Sequence, residues 1–340
     1  MPKSSPIKIA FLDVGHGDSI VLSMTDKKGL NRAIIVDSGN YIKTKKYIKE
    51  NDIDIVDHIL ITHFHTDHYR GINSLIDSLT NSGILIKNIC WEKDKVYREP
   101  EDEKTYVAFT TKLLDNHLKL GIDNGVKRFS NTDYIKLSID DVDELDIKIV
   151  YPNNFAANKF SDKNVNNTST VLKIEYRNKK IILPGDLEGE GWKILNTYLK
   201  DLRCDILKMP HHGDYFNSME GVLSTKEIID NTTPRFAVIS TGKNDKYNHP
   251  DKNTIDCLRD EGVTVLCTQV TDICDDNRMD KRECAITKLD ISRKGYNKNW
   301  CPCIGDIVFE IDEDIKLIPH TLDNILDIKK TFEAPKCINE

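Results

Sequence analysis

The stretch that most constrains this chain is Ile61-Thr62-His63-Phe64-His65-Thr66-Asp67-His68, which gathers three imidazoles and a carboxylate behind an apolar run. Nitrogen and oxygen donors crowded this closely are metal ligands by type. Asp57 to Thr62 reads as a short buried strand, and alternation along it and just beyond sends His63 and His65 to one side, where one ion can take both. Asp67 and His68 follow after the strand has turned, near the start of a helical pattern from Gly71 to Leu79, so they can face a second ion beside the first. Donors without thiolate suit Zn²⁺, with Mn²⁺ or Fe as alternatives. A solvated histidine-rich loop would explain one histidine, but not this spacing at a strand end.

Other polar clusters also sit at the ends of apolar runs. Ile7 to Leu12 and Ser19 to Met24 predict two strands joined by Asp13-Val14-Gly15-His16-Gly17-Asp18, whose glycines permit a tight turn close to a ligand. From that loop His16 and Asp18 can reach the metal site; a polar turn with Asp18 capping backbone amides is the other reading. Asp37 ends the buried strand Ala33 to Val36 and is placed to orient a metal-binding histidine. Lys180 to Leu183 delivers Asp186 at the tip of Pro184-Gly185-Asp186, as a site carboxylate or as a helix N-cap. Asp205 to Met209 delivers Pro210-His211-His212-Gly213. Neighbouring side chains diverge on an extended backbone, so one of these two histidines is expected at the site. Thr241-Gly242-Lys243-Asn244 and Tyr247-Asn248-His249-Pro250 combine a cation, amides and an imidazole, a set suited to an anionic ester.

His63-x-His65-x-Asp67-His68 resembles the signature of the metallo-β-lactamase fold superfamily. Phe11 to Ile20, Val36 to Gly39, Leu183 to Asp186, Pro210 to Gly213 and Asn248 to Pro250 follow the order seen in the hydrolase domain of ComEC-type competence proteins. The resemblance implies an α/β fold, a four-layer αββα sandwich over residues 1–270 with a helical insertion at about 92–130. A cysteine-containing extension, 271–340, would pack on that core. It implies that Asp67, His68, Asp186 and His211 hold one ion, with Asp186 bridging to another held by His63 and His65. Asp13, His16, Asp18 and Asp37 then support the ligands, and His212 faces substrate or solvent. Asp67 and His249 are the expected catalytic residues, with His249 either protonating a leaving group or pinning its loop. Many members carry a further histidine between Asn166 and Thr170; this chain, like the ComEC-type subgroup, has none. Asn167, Ser169 or water would have to complete the first site, and all are weaker zinc ligands than imidazole.

The function implied is metal-dependent hydrolysis, in which a water or hydroxide shared by the ions attacks a phosphodiester of DNA, RNA or a nucleotide. Small esters or lactams are alternative substrates, and a non-catalytic nucleotide- or protein-binding module is an alternative of another class. A net charge of −7 argues against a broadly basic nucleic-acid surface. Local lysines near the motifs, Lys208, Lys243 and Lys246, are left to meet a phosphate. With no long apolar run and no signal sequence at Met1 to Pro6, the chain is expected to be cytoplasmic with no membrane partner.

The nine cysteines then read as thiols or metal ligands rather than disulfides. Cys274, Cys284, Cys301 and Cys303 are candidates for a structural zinc, buried thiols being the other reading. Thr105 to Leu120 has a helical apolar spacing through Val107, Leu113, Leu114 and Leu118. It predicts a lid at the site mouth or a solvated surface helix.

Overall fold

The structure is a computed structural model that describes residues 5–92, 103–120, 123–126, 134–160, 163–242, 249–271, 273–274 and 303–331. Its strands are β1 (Ile7–Phe11), β2 (Ile20–Thr25), β3 (Asn31–Val36), β4 (Ile55–Leu60), β5 (Leu85–Glu92), β6 (Asp123–Val126), β7 (Ile135–Leu137), β8 (Leu145–Tyr151), β9 (Val171–Tyr176), β10 (Lys179–Leu183), β11 (Ile206–Lys208), β12 (Phe236–Ile239), β13 (Thr264–Cys267), β14 (Ile307–Ile311) and β15 (Ile315–Leu317). They form two mixed sheets, one in the order β15-β14-β1-β2-β3-β4-β5-β6 and one in the order β13-β12-β11-β10-β9-β8-β7.

Alternation in β1 explains how the sheets face each other. Ile7, Ile9 and Phe11 join a core shared with Leu172, Ile174, Ile181 and Leu183 of the second sheet. Ala10, one step out of phase, faces Leu75, Ile76 and Leu79 of a helix on the outer side. A strand buried on both faces must be apolar throughout, and β1 is, apart from Lys8. Outside the first sheet lie α1 (Tyr41–Glu50) and α3 (Ile72–Asn81). Outside the second lie α5 (Asn154–Phe160), α6 (Gly189–Tyr198), α7 (Thr225–Thr232) and α8 (Lys252–Asp260). The result is the four-layer αββα sandwich.

Two segments are built in more deeply than the sequence suggests. Helix α4 (Glu103–Leu120) is the crossover between parallel strands β5 and β6, so it completes a β-α-β unit. Only part of its apolar spacing is used: Leu113 is fully buried and Phe109 nearly so, whereas Val107, Leu114 and Leu118 are exposed. Tyr106 and Phe109 pack with Phe64 and Tyr69, so α4 buttresses the metal-motif loop from behind. Beyond residue 270, β14 pairs with β1 along its whole length, β15 pairs with β14, and α9 (Pro319–Thr331) follows. This segment therefore extends the first sheet as well as packing on it. Cys303 is buried in the inter-sheet core and Cys274 packs against that core, while Cys284 and Cys301 lie outside the described residues. Among the described residues no helix is long and apolar enough to cross a membrane.

Candidate metal centre

Strands β3, β4 and β5 run parallel, as do β10 to β13, and the site forms where the C-terminal ends of the two sets meet. The end of β3 supplies Asp37, in a left-handed conformation with φ 58°. The loop after β4 supplies His63 and His65, and the short helix α2 (Thr66–Tyr69) supplies Asp67 and His68. Asp186 follows β10, and the turn Pro210–Gly213 follows β11. Gly17 and Gly39 seat two loops on the Asp67 carbonyl, where a Cβ would come within 2.2 Å and 2.4 Å of its oxygen. A side chain at either position would push Asp67 out of place.

Hydrogen bonds fix which ring nitrogen of each buried histidine is free. His68 Nδ1 lies 2.8 Å from Asp37 Oδ2, so it carries the proton and donates. His212 Nδ1 lies 2.9 Å from the Ser240 carbonyl, which can only accept. Thr62 Oγ1 donates to Asp37 Oδ2 at 2.6 Å and so accepts from His63 Nδ1 at 3.1 Å. In all three rings the proton is held away from the site and the Nε2 lone pair points into it. Those Nε2 atoms lie 3.7 Å (His63), 3.2 Å (His68) and 3.4 Å (His212) from one oxygen, Asp186 Oδ2, and are buried without a hydrogen-bond partner.

Three lone pairs facing a carboxylate oxygen repel it unless a cation lies between them, so the donor set fits a divalent metal. Protons show the same demand. Burial opposes charge on His68 and His212, yet Asp186 and Asp67 override it, lifting His68 well above its ordinary value and His212 to about 9. His63 responds the other way, held well down by burial and by His68.

The donors fall into two unequal sets. His63, His65 and Asp186 form one; His68, Asp186 and His212 form another, which Asp67 adjoins with Oδ2 3.4 Å from His212 Nε2. His65, at the open side, is exposed. The shared Asp186 is held by a buried lysine: Lys208 Nζ lies 3.4 Å from Asp186 Oδ1, 2.5 Å from Asp18 Oδ2 and 3.1 Å from the Gly185 carbonyl. Lys208 is fully buried and cannot meet a substrate phosphate, contrary to its expected role. Lys243 and Lys246 lie outside the described residues.

Several expected positions fall differently. The backbone at His211 and His212 is not extended but left-handed, with φ 46° and 54°. That turn brings His212 beside His68 and Asp186 and places His211, the expected ligand, with Asp214 and His249 instead. His211 Nδ1 is 3.4 Å from Asp214 Oδ2, and the His211 and His249 rings are 5.1 Å apart. Burial and His211 hold His249 down at about 4, so at neutral pH it is a neutral imidazole rather than a standing acid. Asn167 does not complete the first set: its Oδ1 accepts from the Glu188 and Gly191 amides and caps α6. Ser169 Oγ accepts from the Asp186 amide at 3.1 Å, bracing the carboxylate's backbone.

Asp37 does orient His68, and Asp18 acts through Lys208. Asp13 lies apart from the donors. It bonds Gln269 at 2.8 Å, and burial, moderated by Lys43, raises it to about 7. Thr62 and Asp214 were not singled out from the sequence, since a lone threonine and a lone aspartate carry no local signal.

Residues 13–148 match the metallo-β-lactamase superfamily. ComE operon protein 3 of Bacillus subtilis (strain 168) is 25% identical over 78% of this chain, which spans 32% of that relative's length. Competence protein ComA of Neisseria gonorrhoeae is 28% identical over 31% of this chain and 15% of its own. The solved structure of human tRNase Z, short form, aligns over 69% of this chain and 93% of its own, with 13% identity and a TM-score of 0.41. The sandwich, the histidine and aspartate pattern and the family match over residues 13–148 together mark a metallo-β-lactamase superfamily domain in this chain, and the competence-protein relatives are consistent with the ComEC type.

Proposed function

We propose that the chain is a metal-dependent hydrolase acting on phosphodiesters. The observation that carries the reading is the convergence of three protein-pinned imidazole lone pairs on Asp186 Oδ2. His68, His212, Asp67 and Asp186 would hold one ion, and His63, His65 and Asp186 another. Bound divalent cations supply Lewis acidity and lower the pKa of water, the chemistry that metal-assisted hydrolysis needs. The protein contributes orientation. Asp37 and the Ser240 carbonyl keep His68 and His212 in the tautomer that presents Nε2, and Lys208 keeps Asp186 from turning. His249, a neutral imidazole beside His211, would orient a substrate oxygen by hydrogen bonding rather than supply a proton.

A cavity lies on the His211 side of the centre. It measures about 610 Å³, is lined in part by Lys159, Lys163, Asn164, Glu188 and Phe216, and begins at Glu188. Glu188 Oε1 is 3.8 Å from His211 Nδ1, which ties the cavity to the site. Its size falls in the range of small-molecule sites, roughly 300–1,000 Å³. Lysines are matched there by Glu188 and Glu190, so affinity for a polyanion rests chiefly on the metals.

One observation favours a non-catalytic binding module: Asn167 and Ser169 are engaged elsewhere, leaving the first set three protein donors. Turnover of bis(p-nitrophenyl) phosphate with Mn²⁺ or Zn²⁺, alongside elemental analysis, decides between the readings. The hydrolase reading expects metal-dependent release of nitrophenol, reduced at least about a thousandfold in Asp67→Ala. Metal-loaded protein without turnover would leave the binding module; equal turnover by the variant would remove the centre from the mechanism.

A further inference from the structure

His16 projects from the β1–β2 loop into the better-furnished donor set. Its Nε2 lies 3.3 Å from Asp67 Oδ2, the oxygen that also faces His212 Nε2 at 3.4 Å and His68 Nε2 at 3.8 Å. The His16 and His212 rings are 4.4 Å apart at 49°, so both edges converge on that oxygen without stacking. His16, Asp67 and His212 offer ligand atoms within 4.8 Å of one another. The loop is fixed on several sides: Gly17 seats on Asp67, Asp18 is paired with Lys208, and a Cβ at Gly242 would lie 2.5 Å from the His16 amide.

We propose that His16 is a metal ligand: the third imidazole, with His68 and His212, of the set containing Asp67 and Asp186, which therefore fills before the set of His63 and His65. This rests on the centre binding metal but not on its hydrolysing anything. Zinc takes imidazole and carboxylate together and expands readily to five ligands. The ring differs from the other three in how its second nitrogen is held, and ligation through Nε2 would leave a buried Nδ1–H that the ion has to compensate. In the other three imidazoles a fixed acceptor holds the Nδ1 proton, whereas His16 Nδ1 has no hydrogen-bond partner among the described residues. Its tautomer is thus unpinned. Without metal, Nε2–H can donate to Asp67; with metal, the proton moves to Nδ1 and Nε2 offers its lone pair.

The competing role is an orienting partner of Asp67 that never touches the ion. Loss of a ligand and loss of an orienting partner both weaken binding, the latter by about 10- to 100-fold, so affinity alone does not separate them. Direct detection does. Protein labelled with ¹⁵N-histidine is loaded with one equivalent of ¹¹³Cd²⁺, and scalar coupling between cadmium and ring nitrogens is recorded, with His16→Gln assigning the His16 signals. We expect coupling at Nε2 of His16, His68 and His212, none at His63 or His65, and at least about a tenfold loss of affinity in His16→Gln by chelator competition. Coupling at His68 and His212 without His16 makes it an orienting residue and overturns the proposal, as does first loading at His63 and His65. Coupling at no histidine overturns the metal centre with it. Turnover can fail in every one of these cases without altering the result, which keeps this test separate from that of the hydrolase reading.

Discussion

Two buried ionic clusters sit at opposite ends of the strands, and they differ in what is left unpaired. Near the starts of β3 and β4, Arg32 donates from Nε to Asp57 at 2.9 Å and from a terminal nitrogen to Asp26 at 3.0 Å. Every polar side-chain atom of the three is matched. At the strand ends, Lys208 joins Asp18 at 2.5 Å and Asp186 at 3.4 Å, yet Asp18 Oδ1 and the Nε2 atoms of His63, His68 and His212 lack hydrogen-bond partners. Unpaired buried polar atoms cost roughly 1–3 kcal/mol each, so they persist where a ligand compensates. A satisfied cluster is architecture; one with converging gaps is a site.

Breaking each cluster should separate them. The largest effect is expected from Asp186→Asn, which weakens the shared donor: turnover of a phosphodiester should fall at least about a thousandfold, while thermal melting of metal-free protein moves little. A collapse of the melting temperature instead would make Asp186 primarily structural. Next come the cations. Arg32→Met leaves Asp57 with Lys87 at 3.2 Å and Asp26 with two backbone amides, Lys208→Met leaves Asp18 and Asp186 without a cation, and each should cost about 3–5 kcal/mol in denaturant unfolding of the metal-free protein. The comparison lies in the rescue. Added Zn²⁺ should restore a good part of the Lys208→Met loss, because a bound cation offsets the charge of Asp186, and none of the Arg32→Met loss. Equal rescue, or none in both, would erase the distinction between the two clusters.

Asp13 gives a finer test, as a buried carboxyl outside both clusters. Burial raises it to about 7 in the folded protein, above the ordinary carboxyl value of 3.8. The native state therefore binds the extra proton between those limits. Its contribution to stability is full below about pH 4 and is lost as pH rises through 7, at up to about 1.4 kcal/mol per unit. Asp13→Asn should flatten that slope relative to wild type. Parallel slopes would show that Asp13 is ionised in the fold. The smallest effect is expected from Tyr106→Ala. Loss of its edge contact with Phe64 should cost about 1 kcal/mol and loosen the metal loop, lowering turnover only a few-fold.

Much of this was legible residue by residue. The period-two apolar pattern places β1, and the crowding of His63, His65, Asp67 and His68 marks a centre at a strand end by residue type and spacing alone. Asp186 at the tip of an apolar strand and Asp37 at the end of another are visible for the same reason: a polar residue that terminates a buried run has to meet something. The choice between His211 and His212 was not legible, because it assumed extended backbone where the turn is left-handed at both residues. Nor was the fate of Lys208, which reads as a cation near a motif but lies at the core-facing end of β11. Asn167 looked like a weak ligand, yet caps a helix twenty residues on.

The sequence by itself determined which side chains can bind metal and which runs form the sheets, since both follow from residue type and local spacing. Only the tertiary structure decided how those side chains divide the work. Donors from β4, β10 and β11 become neighbours solely because the two sheets pack face to face with their strand ends together. Whether a buried charge is sealed by a partner or left open to a ligand depends on distances between segments far apart in the chain, as between Lys208 and Asp18. No local spacing encodes those distances.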